Sequence, residues 1–249
     1  MAKRNYRENR KPQTSEVSVF EPKTELGKKV LEKEITDLDT ILSSGVKILE
    51  ASIVDHLVPE LEKDLLLIGQ SKGKFGGGQR RAFRQTQKKT KEGNKPKFTT
   101  LAIVGNKNGF VGMGRGSSKE TVPAREKAFR NAKLNIIKIA RGYASPDLIS
   151  GKPHTIPFTV KGKCGSCEMI LMPAPKGTGL VIEKECAKML KLAGIKDVYS
   201  KSFGKSSTRI NNLTACFDAL KQLTKVKIRD ADVKRLGVVY GRVGSKEEE

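Results

Sequence analysis

Two glycine-containing motifs resemble nucleotide-binding motifs in the types and spacing of their residues. Glycines alternate at positions 112, 114 and 116, as in the first part of a dinucleotide-binding fingerprint, but Ser117 stands where the last glycine is required, and no acidic residue ends a following strand. Gly204, Lys205 and Ser206 resemble the end of a phosphate-binding loop, but the glycine expected five positions earlier is Tyr199. Neither motif therefore predicts nucleotide binding.

The four cysteines could bind a metal or form disulfides. Cys164 and Cys167 have the spacing of a zinc knuckle, whereas Cys186 and Cys216 are isolated from each other and from any pair of histidines. Because a closed zinc site usually takes its ligands from two close pairs, we expect structural thiols and no metal site. Replacing Cys164 and Cys167 by serine should then leave the metal content of the protein unchanged. The lack of a disulfide framework favours a reducing compartment.

No combination of residues in the sequence predicts a catalytic centre. His56 lies in a predicted helix and His154 in a predicted linker, and neither neighbours a candidate nucleophile. Asp37 and Asp39 fall in a charged surface helix, where carboxylates are ordinarily solvated. The sequence therefore predicts a protein that is not an enzyme, needs no cofactor and has no small-molecule substrate.

The chain is rich in basic side chains. Its 249 residues include 49 Lys and Arg against 27 Asp and Glu, a net charge of +22. Such an excess repels itself in a free globule and favours a polyanionic partner, with nucleic acid first. An anionic membrane surface is the second candidate, but no long basic amphipathic helix with bulky aromatics supports it. No apolar segment has spanning length and the N-terminus lacks the apolar centre of a signal peptide, so we expect a soluble, cytoplasmic protein.

The segment 69–97 concentrates this charge, with ten basic residues against the single acid Glu92. A glycine-rich first half predicts a flexible loop, and the charge ratio favours phosphate contacts over a solvated linker. Aromatic residues are only 5% of the chain, so recognition should depend on phosphates and RNA shape rather than on base stacking. The candidate RNA-binding residues of the whole chain are Arg80, Arg81, Arg84, Lys88, Lys89, Lys91, Lys95, Lys107, Arg115, Lys119, Arg125, Lys161, Lys163, Lys176, Lys205 and Arg209.

Two loops could bind phosphate through the backbone. Residues 176–179 precede one predicted helix and residues 205–209 precede another, and the free N–H groups of a helix N-terminus favour an anion. Ordinary capping by Thr208 and turn formation by Gly179 would explain the same residues. The two interpretations are compatible, and the sequence does not choose between them.

The segment 98–140 is the element that must position much of this chemistry. Residues 99–104 predict a strand, Asn108-Gly109 predicts a hairpin turn, and residues 110–116 predict the returning strand. The alternating glycines leave one face of the second strand bare, and we expect a helix to pack there.

That helix is predicted to begin with Thr121 as N-cap and Pro123 in its first turn. Its predicted core stripe is Ala128, Phe129, Ala132, Ile136 and Ala140, and its predicted basic face is Arg125, Lys127, Arg130, Lys133 and Lys138. The basic face is left for solvent or a polyanion.

The rest of the chain alternates helices and strands. Helices are predicted over 26–42 and 46–68, with a kink or break at Pro59, and a strand over 84–90. A hairpin follows, with strands 155–160 and 166–172 and a turn at 161–163; then come helix 182–193 with Gly194 as its C-terminal cap, strand 195–202 and a last helix capped by Thr208.

The predicted fold class is α+β in two small domains with extended tails. An N-terminal arm takes residues 1–24, helices and the first domain take 25–142, a linker takes 143–153, the second domain takes 154–225, and a mobile tail takes 226–249.

Several motifs in order resemble the small-subunit ribosomal protein S5 family across roughly residues 86–223. They are GNKNGFVGMGRG with the helix after it, GKPHTIPFTVKGKCGSCEMILMPAPKGTG, and LAGIKDVYSKSFGKSSTRINN. The KCGS and PAPxGTG elements look like the eukaryotic form, for which nucleolar assembly is expected. The resemblance implies a first domain like double-stranded-RNA-binding domains and a second α+β domain of the S5 C-terminal type. Implied partners are small-subunit rRNA, mRNA where it enters the ribosome, and neighbouring ribosomal proteins; implied roles are subunit assembly, decoding accuracy and mRNA unwinding without nucleotide hydrolysis.

One departure from the family pattern matters. The family usually passes from the second helical region almost directly into the strand near Thr86, whereas here residues 69–83 intervene, so the resemblance does not say what this insertion contacts. Residues 1–60 match weakly, and their role stays open as well. A free RNA-processing or chaperone factor with the same fold is the alternative function, and the two are distinguished by whether the protein stays with the small subunit through a salt wash.

Overall fold

The computed structural model describes residues 22–71, 78–145 and 153–241. The predictions for most of the N-terminal arm, the centre of the glycine-rich insertion, most of the linker and the last eight residues of the tail fall outside these ranges. None of the described helices is both long and apolar enough to cross a membrane.

Three short helices begin the described chain: α1 (Glu25–Leu31), α2 (Leu38–Ser44) and α3 (Ala51–Leu57). The Thr24 side chain accepts the Gly27 N–H at the start of α1, and Gly45, with a φ of 73°, ends α2. Their buried side chains form a small core with Phe110 and Ile136.

The predicted second helical region is wrong after Pro59. Helix α3 ends at Leu57, and β1 (Glu62–Leu65) follows as a strand that pairs antiparallel with β3 (Gly93–Gly105). Proline cannot continue a helix, and the free edge of β3 offers the backbone hydrogen bonds that the next residues need.

The first sheet has the order β1-β3-β4-β5, with β2 (Arg84–Thr90) paired to the other end of β3. The predicted β3–β4 hairpin is confirmed, with β4 at Phe110–Ser118. Its connection is longer than a two-residue Asn-Gly turn, because the Asn106 side chain accepts the N–H groups of Asn108 and Phe110 and so closes a four-residue loop.

Helix α4 (Thr121–Leu134) packs on the bare face of β4, as predicted. A Cβ added at Gly114 would lie 2.1 Å from the Ala132 nitrogen, and one at Gly116 would lie 2.2 Å from the Ala124 oxygen. The alternating glycines therefore let the helix backbone touch the sheet.

Three details predicted for α4 are wrong. Glu120, not Thr121, is the N-cap residue. The helix ends at Leu134, so Ile136 starts strand β5 (Ile136–Lys138) and Ala140 lies in β6 (Ala140–Arg141). The buried stripe is instead Ala124, Ala128 and Ala132, because only methyl groups fit against the glycine face.

The second half repeats this construction. Its sheet has the order β7-β8-β10-β9, from strands β7 (Val160–Cys164), β8 (Cys167–Pro173), β9 (Leu180–Val181) and β10 (Val198–Phe203). Helices α5 (Lys184–Ala193) and α6 (Arg209–Lys225) bury side chains such as Leu190 and Phe217 in the core, and Gly194 caps α5 as predicted, with a φ of 84°.

The hairpin of the second half is shifted from its prediction. Residues 161–163 lie within β7, and the turn is Gly165-Ser166. Gly162 does not bend the chain; its Cβ would lie 2.1 Å from the Ala215 oxygen of α6, so this glycine is a helix-packing site.

The tail predicted to be mobile is ordered as far as the structure describes it. Helix α7 (Asp230–Arg235) and β11 (Val239–Tyr240) fold back, and β11 pairs with β6. Buried Val238 and the Tyr143 N–H, which donates to the Leu236 oxygen at 3.1 Å, fix this return. The expected α+β fold class is confirmed, and one hydrophobic cluster joins residues of both halves, including Met113, Leu190 and Leu220.

Candidate nucleic-acid interface

A cleft of about 570 Å³ lies between the root of the insertion and the start of α6. We call it the arginine cleft. Its lining residues are Ile68, Gly69, Gln70, Ser71, Arg80, Arg81, Phe83, Arg84, Gln85, Thr86, Lys205, Ser207, Thr208, Arg209 and Ile210. Five of these side chains are cationic and none of the described lining residues is acidic.

The first wall of the arginine cleft is a short antiparallel pairing at the root of the insertion. Ser71 bridges to Arg80, the Gly69 N–H donates to the Arg81 oxygen at 2.8 Å, and the Arg81 N–H donates to the Gln70 oxygen at 3.1 Å. The insertion thus leaves and re-enters the fold at one place and presents its arginines there.

The second wall is the loop 204–208 and the first residues of α6. The Thr208 hydroxyl donates to the Lys205 oxygen at 2.9 Å instead of capping the helix. Lys205 and Ser207 are exposed. Of the two loops that could have bound phosphate at a helix N-terminus, this one does lie directly before its helix.

Leu67 holds the two walls together. Its N–H donates to the buried Glu185 carboxylate at 2.8 Å, and its oxygen accepts from the Arg209 guanidinium at 3.3 Å. Arg209 also lies 3.5 Å from the Glu183 carboxylate, so this predicted RNA-binding residue is partly engaged within the protein. Side chains of the second half therefore fix the backbone from which the insertion starts.

Phe83 lines the cleft and lies beneath a further predicted cation. The guanidinium carbon of Arg125, on α4, is 5.6 Å from the centroid of the Phe83 ring. A cation over a ring face is favourable, so Phe83 keeps Arg125 at the edge of the arginine cleft. The structure thus brings together six of the predicted residues: Arg80, Arg81, Arg84, Arg125, Lys205 and Arg209.

Four more predicted residues lie on a separate projection. Lys88, Lys89 and Lys95 belong to the β2–β3 ribbon and Lys91 to its turn, and all four are exposed. Residues 86–90 of β2 pair with 93–97 of β3, beyond the part of β3 that pairs with β4. We call residues 86–97 the finger. The finger therefore extends beyond the rest of the first sheet.

Lys161 and Lys163 belong to β7, in the second half of the chain. Their ammonium groups lie 2.7 and 3.1 Å from the Glu168 carboxylate. Their hydrogen bonds lower the pKa of the Glu168 carboxyl. They border a second basic hollow of about 480 Å³ with Lys221 and Lys225 of α6. Sequence reasoning missed these last two lysines, although their spacing of four places them on one helix face.

The remaining predicted residues stand apart. Lys176 is exposed, but its loop does not precede a helix directly: β9 intervenes, and the Asp197 carboxylate accepts the Gly177 and Gly179 N–H groups at 3.2 and 2.8 Å. The backbone-phosphate interpretation is therefore wrong for residues 176–179, because an internal carboxylate already occupies those donors. Lys107 forms an ion pair with Glu62. Arg115, within β4, and Lys119, just after it, are both exposed.

Lys133 was predicted to face solvent or a polyanion, and that prediction is wrong. Its side chain is 11% exposed and its ammonium contacts the Asp55 carboxylate at 2.5 Å. This ion pair joins α4 to α3 because the two helices pack side by side there. Burial, with the nearby Lys133 charge as a second cause, lowers the pKa of Lys63 beside the pair.

The remaining candidates for chemistry are dispersed. All four cysteines are free thiols, and the described residues contain no group of three or more side chains that could hold a metal ion. His154 is buried beside the Tyr143 ring, with ring centroids 5.7 Å apart, and His56 is exposed on α3. The arrangement is suited to binding a polyanion.

Comparison with known proteins agrees with the geometry. The model of the ribosomal protein S5 N-terminal domain matches residues 82–140, and that of the S5 C-terminal domain matches residues 162–235. The small ribosomal subunit protein uS5 of Nanoarchaeum equitans (strain Kin4-M) is 46% identical over 230 residues, which cover 92% of this chain and 99% of that protein.

Two further uS5 relatives are similar over nearly the same span. The small ribosomal subunit protein uS5 of Methanobrevibacter smithii is 45% identical and covers 90% of this chain and 98% of that protein. That of Methanocaldococcus jannaschii is 41% identical and covers 91% and 98%. All three are archaeal, so the expected eukaryotic form is not confirmed.

Proposed function

The chain belongs to the ribosomal protein S5 family, and we propose that it is a structural, non-catalytic protein of the small ribosomal subunit that binds small-subunit rRNA. Its relatives are named as proteins of that subunit. The observation that carries rRNA binding is the arginine cleft, whose five cationic side chains face one hollow with no acid among the described lining residues.

The chemistry of the arginine cleft favours a nucleic-acid backbone. Guanidinium groups bind phosphate in a bidentate manner, and the exposed hydroxyl of Ser207 can donate to a phosphate oxygen. The hollow is too open and too polar to enclose a small apolar ligand. Few aromatics line it, which favours RNA shape and phosphates over base stacking.

The finer roles are proposals as well. We propose that the finger contacts mRNA where it enters the subunit, that neighbouring ribosomal proteins adjoin the chain, and that the protein supports assembly, decoding accuracy and mRNA unwinding. The support is the S5 resemblance together with a ribbon that is exposed along both strands and carries five lysines. Location on cytoplasmic ribosomes, with nucleolar assembly in a eukaryotic source, is part of the same proposal, and so are the predicted domain boundaries.

A paired substitution tests the arginine cleft. Arg81→Gln with Arg84→Gln removes two exposed cleft charges, and Lys28→Gln with Lys29→Gln removes two exposed charges from α1. We expect the cleft variant to bind small-subunit rRNA fragments more weakly at every salt concentration, with a salt slope smaller by about 0.7–0.9 for each lost contact. Equal effects of the two variants would contradict a cleft-centred interface.

The alternative function, a free RNA-processing or chaperone factor, makes a different prediction. A ribosomal protein should sediment with the small subunit after a high-salt wash, whereas a cycling factor should be released. Sucrose-gradient profiles of the native protein before and after the wash measure this directly.

A further inference from the structure

Cys164 and Cys167 lie opposite each other at the two strand ends that flank a two-residue turn. They are register partners on β7 and β8, with only Gly165 and Ser166 between them. Opposed residues of an antiparallel pair point to the same face, with Cα atoms about 4.5–5.5 Å apart. That separation lies within the range of about 4.4–6.8 Å that a disulfide spans.

The two thiols differ in exposure. Cys167 is fully buried, on the same face as the buried Met169, whereas Cys164 is only partly buried at the end of its strand. A small oxidant can therefore reach Cys164 first, and Cys167 is the neighbour that would react next. Cys186 and Cys216, by contrast, are both fully buried between α5 and α6.

Cys167 also connects this turn to the arginine cleft. Its Sγ–H donates to the Lys205 oxygen at 2.9 Å. The same oxygen accepts the Thr208 N–H at 3.1 Å and the Thr208 hydroxyl at 2.9 Å. The backbone of this turn also contacts the backbone of the loop 204–208, since a Cβ at Gly204 would lie 1.8 Å from the Ser166 oxygen.

We propose that Cys164 and Cys167 are a reversible oxidation site, and that their disulfide loosens the second wall of the arginine cleft. The Cys164 thiolate attacks a hydroperoxide oxygen, the O–O bond breaks, and a sulfenic acid and an alcohol (water, from hydrogen peroxide) form. The Cys167 sulfur then attacks the Cys164 sulfur, the S–O bond breaks and water leaves. Two thiols and one hydroperoxide thus give one disulfide, water and the alcohol, and a small thiol reductant reverses the change.

The structural consequence follows from the lost proton. A disulfide sulfur cannot donate, so the Lys205 oxygen loses its bond from Cys167. The loop 204–208 keeps its internal bonds and the bond from the Asn212 N–H of α6 to the Thr208 oxygen. The disulfide also pulls together the two strand ends that flank the turn, and Gly204 packs on this turn. The expected effect on RNA rests on the proposed function, whereas the disulfide and the loosened loop do not.

The test uses the full-length protein. Reduced protein is treated with hydrogen peroxide, remaining thiols are blocked with N-ethylmaleimide after unfolding, and peptides are mapped by mass spectrometry. We expect a Cys164–Cys167 disulfide with Cys186 and Cys216 both alkylated, and its loss on addition of dithiothreitol. Hydrogen exchange of the Ser206 and Thr208 amides should become several-fold faster on oxidation.

Cys164→Ser is the matched control, because it prevents the disulfide and leaves the bond from Cys167 to Lys205 in place. Its loop exchange should not respond to peroxide. Overoxidation of Cys164 alone, a Cys186–Cys216 disulfide, or unchanged loop exchange in disulfide-bonded wild type would each overturn the proposal. Faster loop exchange with unchanged rRNA affinity would instead contradict the role given to the arginine cleft and leave the oxidation site standing.

Discussion

At the scale of single residues, glycine and alanine determine where helix backbones come closest to sheet backbones. Glycines on β4 and β7 meet alanines on α4 and α6, so helix and sheet backbones touch in both halves. Each contact depends on the absence of a Cβ, because the atoms it would meet belong to backbone and cannot turn away.

Gly114→Ala is predicted to destabilise the protein by about 3 kcal/mol or more, at the upper end of overpacking effects. The added methyl would meet the Ala132 nitrogen at 2.1 Å and the Ala128 oxygen at 2.5 Å. Urea unfolding followed by circular dichroism measures the loss. Gly177→Ala is the control, since its φ of 91° costs only about 1–2 kcal/mol and nothing lies within 4 Å of the new Cβ. Equal losses in the two variants would show that the helix moves aside freely.

Glu185 supplies a second residue-scale prediction. Glu185→Ala should lower the free energy of unfolding by about 1–3 kcal/mol, because the Leu67 N–H loses its acceptor. Glu185→Gln keeps an oxygen at that position and should lose less, although its ion pair with Lys188 at 3.3 Å is removed. Denaturant midpoints of the three proteins decide this; a glutamine variant as unstable as the alanine variant would assign the effect to charge rather than to the hydrogen bond.

At the scale of elements, the finger and the arginine cleft divide the basic segment between two surfaces. β2 pairs only with the outer part of β3, which makes a two-stranded ribbon exposed on both faces. The arginines before it are instead held against the body of the protein by the pairing of Ser71 with Arg80. One charged stretch of sequence therefore presents two distinct binding surfaces.

Neutralising the finger should leave the fold intact. Lys89, Lys91 and Lys95 are exposed, and the ion pair of Lys95 with Glu92 at 2.9 Å is itself largely exposed and contributes little. Replacing all three with glutamine should change stability by less than about 0.5 kcal/mol and weaken RNA contact uniformly, without altering sequence preference.

In ribosomes that carry this triple variant, we expect normal subunit assembly with slower passage through structured mRNA or altered decoding accuracy. Translation of messages with and without a strong hairpin measures the effect, and replacing Lys28, Lys29 and Lys47 with glutamine is the charge-matched control. Unchanged rates and unchanged misreading would remove the proposed mRNA role, while failed assembly would make the finger an rRNA anchor.

At the scale of the whole molecule, the charge of +22 governs association. We expect the isolated protein to bind RNA with little sequence preference and with an affinity that falls steeply with salt. Each phosphate contact should contribute about −0.7 to −0.9 to the slope of log affinity against log salt concentration. Filter binding to unrelated RNAs over a salt series measures both quantities, and an affinity nearly independent of salt would be incompatible with this account.

The sequence by itself determined the α+β class and the family, and it supplied the prediction of a polyanionic partner and of a protein without a catalytic centre. These depend on composition, on periodic burial and on motifs in order, all of which are local properties of the chain. The glycine face of β4 is the best example, since three alternate glycines predict a closely packed helix before any partner is known.

The tertiary structure alone decided which charges face outward together. The sequence predicts that Lys133 and Arg209 are surface cations. Lys133 is instead buried against Asp55, which lies 78 residues away in sequence. Arg209 instead donates to the backbone oxygen of Leu67, which lies 142 residues away. Strand β1 and the returning tail likewise depend on free edges of distant strands. The arginine cleft exists only because Leu67 brings the insertion against α6; pairing between distant segments is set by packing, which no local pattern encodes.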